Sequence, residues 1–459
     1  MLRPLFILRF FFFCSFLSSA EEKNEQTNPA STKLYVSVFD IDATPPVGSW
    51  LAYDLMVNTW DLGLRARGVV LTGIEKPIVL CTIDWIGISN ESQDAFKKAL
   101  AIAANTDSRH VVVHTLHQHD APICDFTAEA ILKEAGIELA GFNGDFARNT
   151  IERLKHAIGE ALKKPQPVTH IKTGHAPVYR VASNRRIMKE DGSMDVMRAT
   201  ACRDSALRAK PEGLIDPDVS LISFWNQDKP IAVLSFYATH PQSYYLTKIA
   251  NPDFPGVARF YRQLEVPEAL HVHFNGAGGN IGAGKYNDGS PENRQILAER
   301  LADGMKRAWE NSINDSVTSK DISWHTEPVA LPVAQGVEEK IEAEMRSKDM
   351  RYRTNSLGCL GWIKRRKAGI TIDIACLSIG NARILFMPGE LFVEYQIAAK
   401  ALRKDLFVTM AAYGDYGPFY IGTKESYLHG GYEIKSSPVT AESEEILMNV
   451  VKKLLPAEH

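Results

Sequence analysis

The chain has 459 residues, 45% hydrophobic, 23% charged and 9% aromatic, with a formal net charge of -3. That is an ordinary globular composition, and it excludes a basic nucleic-acid-binding chain and a like-charged interaction tail. The length admits two or three domains or one large α/β unit.

In chain order, Arg3 and Arg9 bracket a start that leads into Phe10-Phe11-Phe12-Phe13-Cys14-Ser15-Phe16-Leu17 and then Ser18-Ser19-Ala20. A basic start, a short apolar core and small residues predict a cleaved secretory signal over 1–20, with a secreted or periplasmic product; the alternative is an uncleaved anchor. The apolar run is too short to span a bilayer and no later segment approaches that length, so the membrane contact left open is peripheral. Residues 21–32 are polar and read as a loose mature N-terminus. Beyond them, 33–459 reads as one catalytic domain, with no long linker and no internal repeat.

Strands are predicted at 34–39, 68–72, 78–84 and 110–114. Between the last two, Asn90 with Gln93 predicts a capping box for a helix whose buried face is Phe96, Leu100 and Ala103. A second amphipathic helix is predicted over 146–163. Leu297, Leu301, Met305 and Trp309 mark one face of another. A final helix starts near Thr440, with Glu442 and Glu444 early and Lys452 and Lys453 late, as the helix dipole favours. The stretches 210–216 and 347–360 are polar and irregular, and read as surface insertions or lids. Alternation of mixed strands with helices predicts an α/β class, a mixed sheet core flanked by helices. Cys81, Cys124, Cys202, Cys359 and Cys376 are widely spaced and odd in number, so no disulfide framework is legible; Cys81 and Cys376 lie in apolar runs, as buried small hydrophobes do.

Three apolar runs end on residues able to hold zinc. Val111-Val112-Val113 leads to His114-Thr115-Leu116-His117-Gln118-His119-Asp120-Ala121-Pro122. The run 231–237 leads to Ala238-Thr239-His240-Pro241, and 384–387 to Pro388-Gly389-Glu390. Strands that share a sheet and a direction end on one rim, where ligands of open α/β sheets bind. Two imidazoles and a carboxylate there make three-quarters of a hydrolytic zinc site. On an extended segment His117 and His119 would face the same side. His271 and His273 have the same spacing inside a strand and read as structural. The loop Asn275-Gly276-Ala277-Gly278-Gly279-Asn280-Ile281-Gly282-Ala283-Gly284-Lys285 fits neither the dinucleotide fingerprint nor the P-loop. Close approach of its backbone to a substrate or metal rim makes Asn280 and Gly282 candidate substrate contacts. Tyr413, Tyr416, Tyr420, Tyr427 and Tyr432 cluster among Gly, Asp and His, which suits a site-lining loop.

Taken together and in this order, these motifs resemble the neutral ceramidase family, zinc-dependent amidases of secretory compartments. The elements that carry the resemblance are Leu116-His117-Gln118-His119-Asp120-Ala121-Pro122, Ala238-Thr239-His240-Pro241, Asp253-Phe254-Pro255-Gly256, Pro388-Gly389-Glu390 and Tyr420-Ile421-Gly422-Thr423 through Gly431-Tyr432-Glu433. The resemblance spans roughly 36–435 and implies His117, His240, Glu390 and Tyr420 as Zn2+ ligands. It implies His119, Arg185 and Tyr432 as groups around the reacting carbonyl. Asp120-Ala121 stands where the family has Ser-Gly, and Gly279-Asn280-Ile281-Gly282 where it has Gly-Asp-Val-Ser or Gly-Asp-Val-Asn. The family's C-terminal immunoglobulin-like domain is not expected in the given sequence. What the resemblance implies is metal-assisted hydrolysis of an amide in a lipid or small-molecule substrate, N-acyl-sphingosine or a related N-acyl compound. The alternatives are the same zinc chemistry on another N-acyl or ester substrate, and an exported metal-binding protein without turnover.

Overall fold

Three parallel strand pairs, one at the edge of each main sheet, organise the molecule. The computed structural model describes residue 1 and residues 32–457 apart from 60–61, 138–139 and 346–349, with backbone only for 140 and 350–356. The expected signal and most of the expected loose N-terminus lie outside the described residues. Thr32–His459 forms one compact unit.

The first sheet has the order Val111–Thr115, Ile78–Ile83, Arg65–Thr72, Leu34–Asp42, Gln166–Val168. The second runs Leu270–Asn275, Lys229–Tyr237, Asp218–Asn226, His170–Pro177, Ile313–Ser316, and the third Ile322–Val329, Ile372–Ile379, Ala382–Phe386, Phe407–Ala411. Neighbours are antiparallel except for Ile78–Ile83 with Val111–Thr115, Lys229–Tyr237 with Leu270–Asn275, and Ala382–Phe386 with Phe407–Ala411. A parallel pair needs a crossover. Here the crossovers contain the helices Asn90–Ala104, Asp253–Glu265 and Val393–Leu402.

Alternation along the strands lets each sheet bury one face against the others. Val36, Leu71, Phe236, Phe274, Leu377 and Ile384 come from all three sheets and share one apolar cluster. Helices cover the other faces. Phe96 and Leu100, with Ile151 and Leu154 of Asp145–Ala161, pack on the first sheet. Leu297, Leu301 and Met305 of Glu292–Glu310 pack on the second. Leu447, Val450 and Val451 of Ser443–Leu454 pack on the third. The strand Leu270–Asn275 lies beside Ile78–Ile83 and Val111–Thr115, and Lys229–Tyr237 beside Phe407–Ala411.

The α/β class with helices over mixed sheets is what the structure has, but three details differ from the sequence expectation. The candidate metal residues do not share one sheet, since each follows a strand of a different one. The capping box at Asn90 is not formed. Ser89 is the N-cap, Asn90 takes φ +58°, and its amide donates to Asp125 Oδ2 and the Gly358 carbonyl. Gln93 donates to the Val113 carbonyl instead. The stretch 347–360, expected to be irregular, lies largely in the helix Met350–Lys367, whose Leu357, Leu360, Trp362 and Ile363 are buried. Its apolar residues begin late, after a polar run, so the periodicity is weak at the start. Cys81, Cys124, Cys202, Cys359 and Cys376 are all buried and free. No helix among the described residues is long and apolar enough to cross a membrane.

Candidate metal centre

His117 lies just beyond Val111–Thr115, pinned by His117 N donating to the Trp85 carbonyl (2.9 Å). It takes φ +65°, a left-handed conformation that costs a non-glycine residue on the order of 1–3 kcal/mol and persists where its surroundings over-determine it. This turn, rather than extended alternation, brings His117 and His119 together, with ring centroids 5.0 Å apart. His240 follows Lys229–Tyr237 through Ala238 and Thr239. Glu390 follows Ala382–Phe386 through Gly389, which has φ +58° and whose missing Cβ would fall 2.4 Å from the Phe419 carbonyl. Glu390 then pairs in parallel register with Tyr420.

His117 Nδ1 donates to the Ile86 carbonyl (2.7 Å), and His240 Nδ1 to the Gly278 carbonyl (3.3 Å). Only a protonated nitrogen can satisfy a carbonyl, so each ring carries a proton on Nδ1 and turns its Nε2 into the site. The two Nε2 atoms face each other at 3.1 Å. Glu390 Oε2 lies 3.4 Å from the first and 3.6 Å from the second, and has no hydrogen-bond partner. Glu390 Oε1 accepts from the Tyr416 hydroxyl at 2.7 Å. A divalent cation among these three buried atoms would satisfy all of them at once, including the partnerless carboxylate oxygen. A point equidistant from the three atoms lies about 2 Å from each, within the zinc–nitrogen and zinc–oxygen range. The residues therefore fit a divalent ion.

Burial, reinforced by His117 and Arg185, pulls His240 and His119 well below the usual imidazole range. Both are neutral at pH 7, as metal binding and proton acceptance require. His119 forms a cluster with His117 and His240, one ring nitrogen of each within 4.8 Å of the others. Its Nδ1 has no hydrogen-bond partner. Tyr420 stacks on His240 with centroids 6.5 Å apart. Tyr420 and His119 are thus the two neighbours that compete for a fourth ligand position.

Arg185 is buried and donates from Nη1 to the Tyr420 hydroxyl (3.3 Å). Its guanidinium lies over the Tyr432 ring at 5.6 Å, and its Nε is 3.5 Å from the buried Glu433. Arg186 pairs with the other Glu433 oxygen and with the Gly430 carbonyl. Glu433 thereby fixes both arginines, and Arg185 is the one turned to the cluster. The site opens into a cavity of about 290 Å³ walled by Tyr53, Phe419, Tyr432 and, from Val337–Met345, Val337, Lys340 and Ile341.

The structure thus brings His117, His119, His240, Glu390, Tyr420, Arg185 and Tyr432 together. It does not bring Asn280 and Gly282 into the cavity wall. Asn280 Nδ2 donates to both Glu394 oxygens and its Oδ1 accepts from Val393 N, so its amide is committed to the start of the helix Val393–Leu402. Gly282 pairs with Ser183 and packs on Thr200. His271 and His273 stay in Leu270–Asn275 away from the cluster, with His273 Nδ1 hydrogen-bonded to Ser235 Oγ at 2.9 Å. Tyr413 stacks on His117 at 4.7 Å and Tyr416 holds Glu390, whereas Tyr427 bonds to Ser437. Two site residues escaped the sequence reading. Tyr53 and Tyr245 flank His119 at 5.8 and 5.5 Å, and both come from irregular segments that carry no periodic signal. Glu433 was within reach, because it adjoins Tyr432 in a quoted motif.

No family model matches the sequence, and no curated protein matches it. Among solved structures, one described as a ceramidase complexed with C2 is similar over 92% of this chain and 74% of its own, with TM-score 0.65 and 14% identity. A neutral ceramidase from Pseudomonas aeruginosa is similar over 93% of this chain and 76% of its own, with TM-score 0.65 and 15% identity. At these identities the likeness is one of fold. The three sheets and their covering helices are the neutral ceramidase fold.

Proposed function

We propose that the protein is an exported zinc-dependent amidohydrolase of ceramidase type. The observation that carries this reading is the convergence of two imidazole Nε2 atoms and one partnerless carboxylate oxygen on a single point. His117, His240 and Glu390 would hold the ion, with Tyr420 as the fourth ligand. Zinc bound there would supply a Lewis acid and lower the pKa of water to about 7. His119, neutral and with Nδ1 unpartnered, takes a proton from the attacking water and returns it to the leaving amine. Arg185 and Tyr432 hold the carbonyl oxygen as it gains charge, a role in which loss of one donor slows turnover on the order of 10²–10³-fold.

Amide hydrolysis of an N-acyl lipid is the favoured reaction. A different N-acyl or ester substrate is favoured by one feature: Asn280 and Gly282 are tied up within the fold, so recognition falls to the cavity wall, where Lys340 and Lys435 stand among apolar groups. Metal analysis with an N-acyl substrate panel tests the proposal. The expected result is one zinc per chain and amide cleavage in the wild type, with both lost in His240→Ala while the circular dichroism of the fold is kept. Full zinc content in His240→Ala would refute the ligand assignment.

A further inference from the structure

Asp120 follows His119, and its carboxylate gathers one short segment of the chain. Oδ1 accepts from Leu246 N (2.9 Å) and Thr247 N (3.4 Å), and Oδ2 from Thr247 Oγ1 (2.6 Å) and Asn251 Nδ2 (3.1 Å). The Asp120 carbonyl accepts from Asn251 N at 3.1 Å. Between Tyr237 and Asp253 the chain forms no strand or helix. Leu246 (φ +64°) and Lys248 (φ +60°) sit in the left-handed region, a shape such residues hold only under external constraint. Asp120 supplies that constraint at Leu246, while Lys248 is held by Asp54 Oδ2, which accepts from Lys248 N (3.0 Å), and by Val57 N, which donates to the Lys248 carbonyl (2.9 Å).

The held segment carries Tyr245. Its ring lies 5.5 Å from the His119 ring and meets Tyr53 edge-on at 5.4 Å. Tyr53 in turn stacks on His119 at 5.8 Å with 14° between planes. A general base is ordinarily oriented by a carboxylate bonded to its second nitrogen. Among the described residues no carboxylate bonds to His119; its Nδ1 is unpartnered, and the backbone of His117 and Pro241 supplies the hydrogen bonding it has. Beside those backbone contacts, the two phenol rings are the side chains that pack on the imidazole.

We propose that Asp120 is a positioning residue: by pinning the segment 244–251 it holds Tyr245 against His119, and the Tyr53–Tyr245 pair fixes the imidazole beside the metal cluster. The proposal rests on the reading of His119 as the proton-transfer group. It also gives a physical reason for an aspartate beside the second histidine, since a shorter hydroxyl side chain could not collect four donors from one loop.

The test uses full-length protein with ¹⁵N-labelled histidine, the His119 signal being assigned with His119→Gln. Asp120→Ser and Tyr245→Ala should each shift or broaden the His119 imidazole resonances while those of His117 and His240 stay in place and zinc content is unchanged. Tyr245→Phe should restore the wild-type spectrum. With a cleavable N-acyl substrate, kcat should fall about tenfold in Asp120→Ser and in Tyr245→Ala with KM altered less than about threefold, and the double variant should be no worse than the weaker single one, as for residues acting in series. If Asp120→Ser does not fold, Asn251→Ala, which removes one donor, should give a smaller change of the same kind. Unchanged His119 resonances in Tyr245→Ala, or losses that multiply in the double variant, would overturn the proposal. If no amide is cleaved by the wild type, the proposed function fails, yet the spectra still decide the positioning claim.

Discussion

Replacing Gly389 by alanine should damage the metal centre without touching a donor atom. Gly389 has φ +58°, where an L side chain costs about 1–2 kcal/mol. The added Cβ would also fall 2.4 Å from the Phe419 carbonyl oxygen. That carbonyl is the acceptor for Glu390 N (2.8 Å), while Gly389 N donates to the Asp415 carbonyl and Tyr413 N to the Gly389 carbonyl, both at 3.0 Å. The obstacle is hydrogen-bonded backbone, so relief requires the Glu390–Leu391 and Tyr420–Ile421 strands to separate. Strain plus one weakened hydrogen bond of about 1 kcal/mol gives a loss of about 2–3 kcal/mol. Glu390 and Tyr420 would move apart together, so zinc affinity falls as well. Urea unfolding of the metal-free protein measures the first effect and competition with a chelator the second. Wild-type stability and wild-type zinc affinity in Gly389→Ala would refute the claim that this turn places Glu390.

Tyr416→Phe removes the hydroxyl that donates to Glu390 Oε1; zinc affinity by chelator competition should drop about 10–100-fold, the usual effect of losing a group that orients a ligand. Asp84→Asn leaves the buried Arg259 guanidinium without its paired carboxylate, and urea unfolding should show a loss of about 3–5 kcal/mol. Acid should withdraw the stability contributed by three buried histidines in the metal-free protein. Burial lowers His114 to about 4 and His271 and His273 to about 3. Their folded values lie below the unfolded value, so the stability they allow is full above about pH 6.5 and is lost as pH falls, each group contributing about 1.4 kcal/mol per pH unit until its folded value is reached. Burial raises Asp125 to about 8, which acts in the opposite sense, so the histidine effect is read as the difference between wild type and His273→Phe in denaturation at pH 7, 6 and 5; a difference that does not change with pH would contradict it.

The sequence made the strand ends visible because apolar runs stop where the chemistry begins. Val111–Thr115, Lys229–Tyr237 and Ala382–Phe386 each end a few residues before a metal-site candidate. Periodicity reports burial within one strand and carries no information about which strands share a sheet, so one rim was expected where three converge. The left-handed turn at His117 is likewise unreadable, since nothing in Leu116-His117-Gln118 demands it. Spacing alone could not rank His114, His117 and His119. The structure separates them: His114 Nδ1 bonds to the Ala412 carbonyl and its ring packs on Phe274 and Phe386 in the core. Tyr53, Tyr245 and the supporting contacts of Asp120 depend on irregular backbone held by distant partners, which leaves no local pattern. Arg185 and the ligand role of Tyr420 entered only through the family resemblance, and the placement of these residues beside Glu433 and Glu390 comes from pairings between segments far apart in the chain.

The most direct measurement is anomalous X-ray scattering at the zinc edge from crystals of the zinc-loaded protein. One peak is expected, within bonding distance of His117 Nε2, His240 Nε2 and Glu390 Oε2. No peak there, or a peak bound by other side chains, would contradict the metal centre.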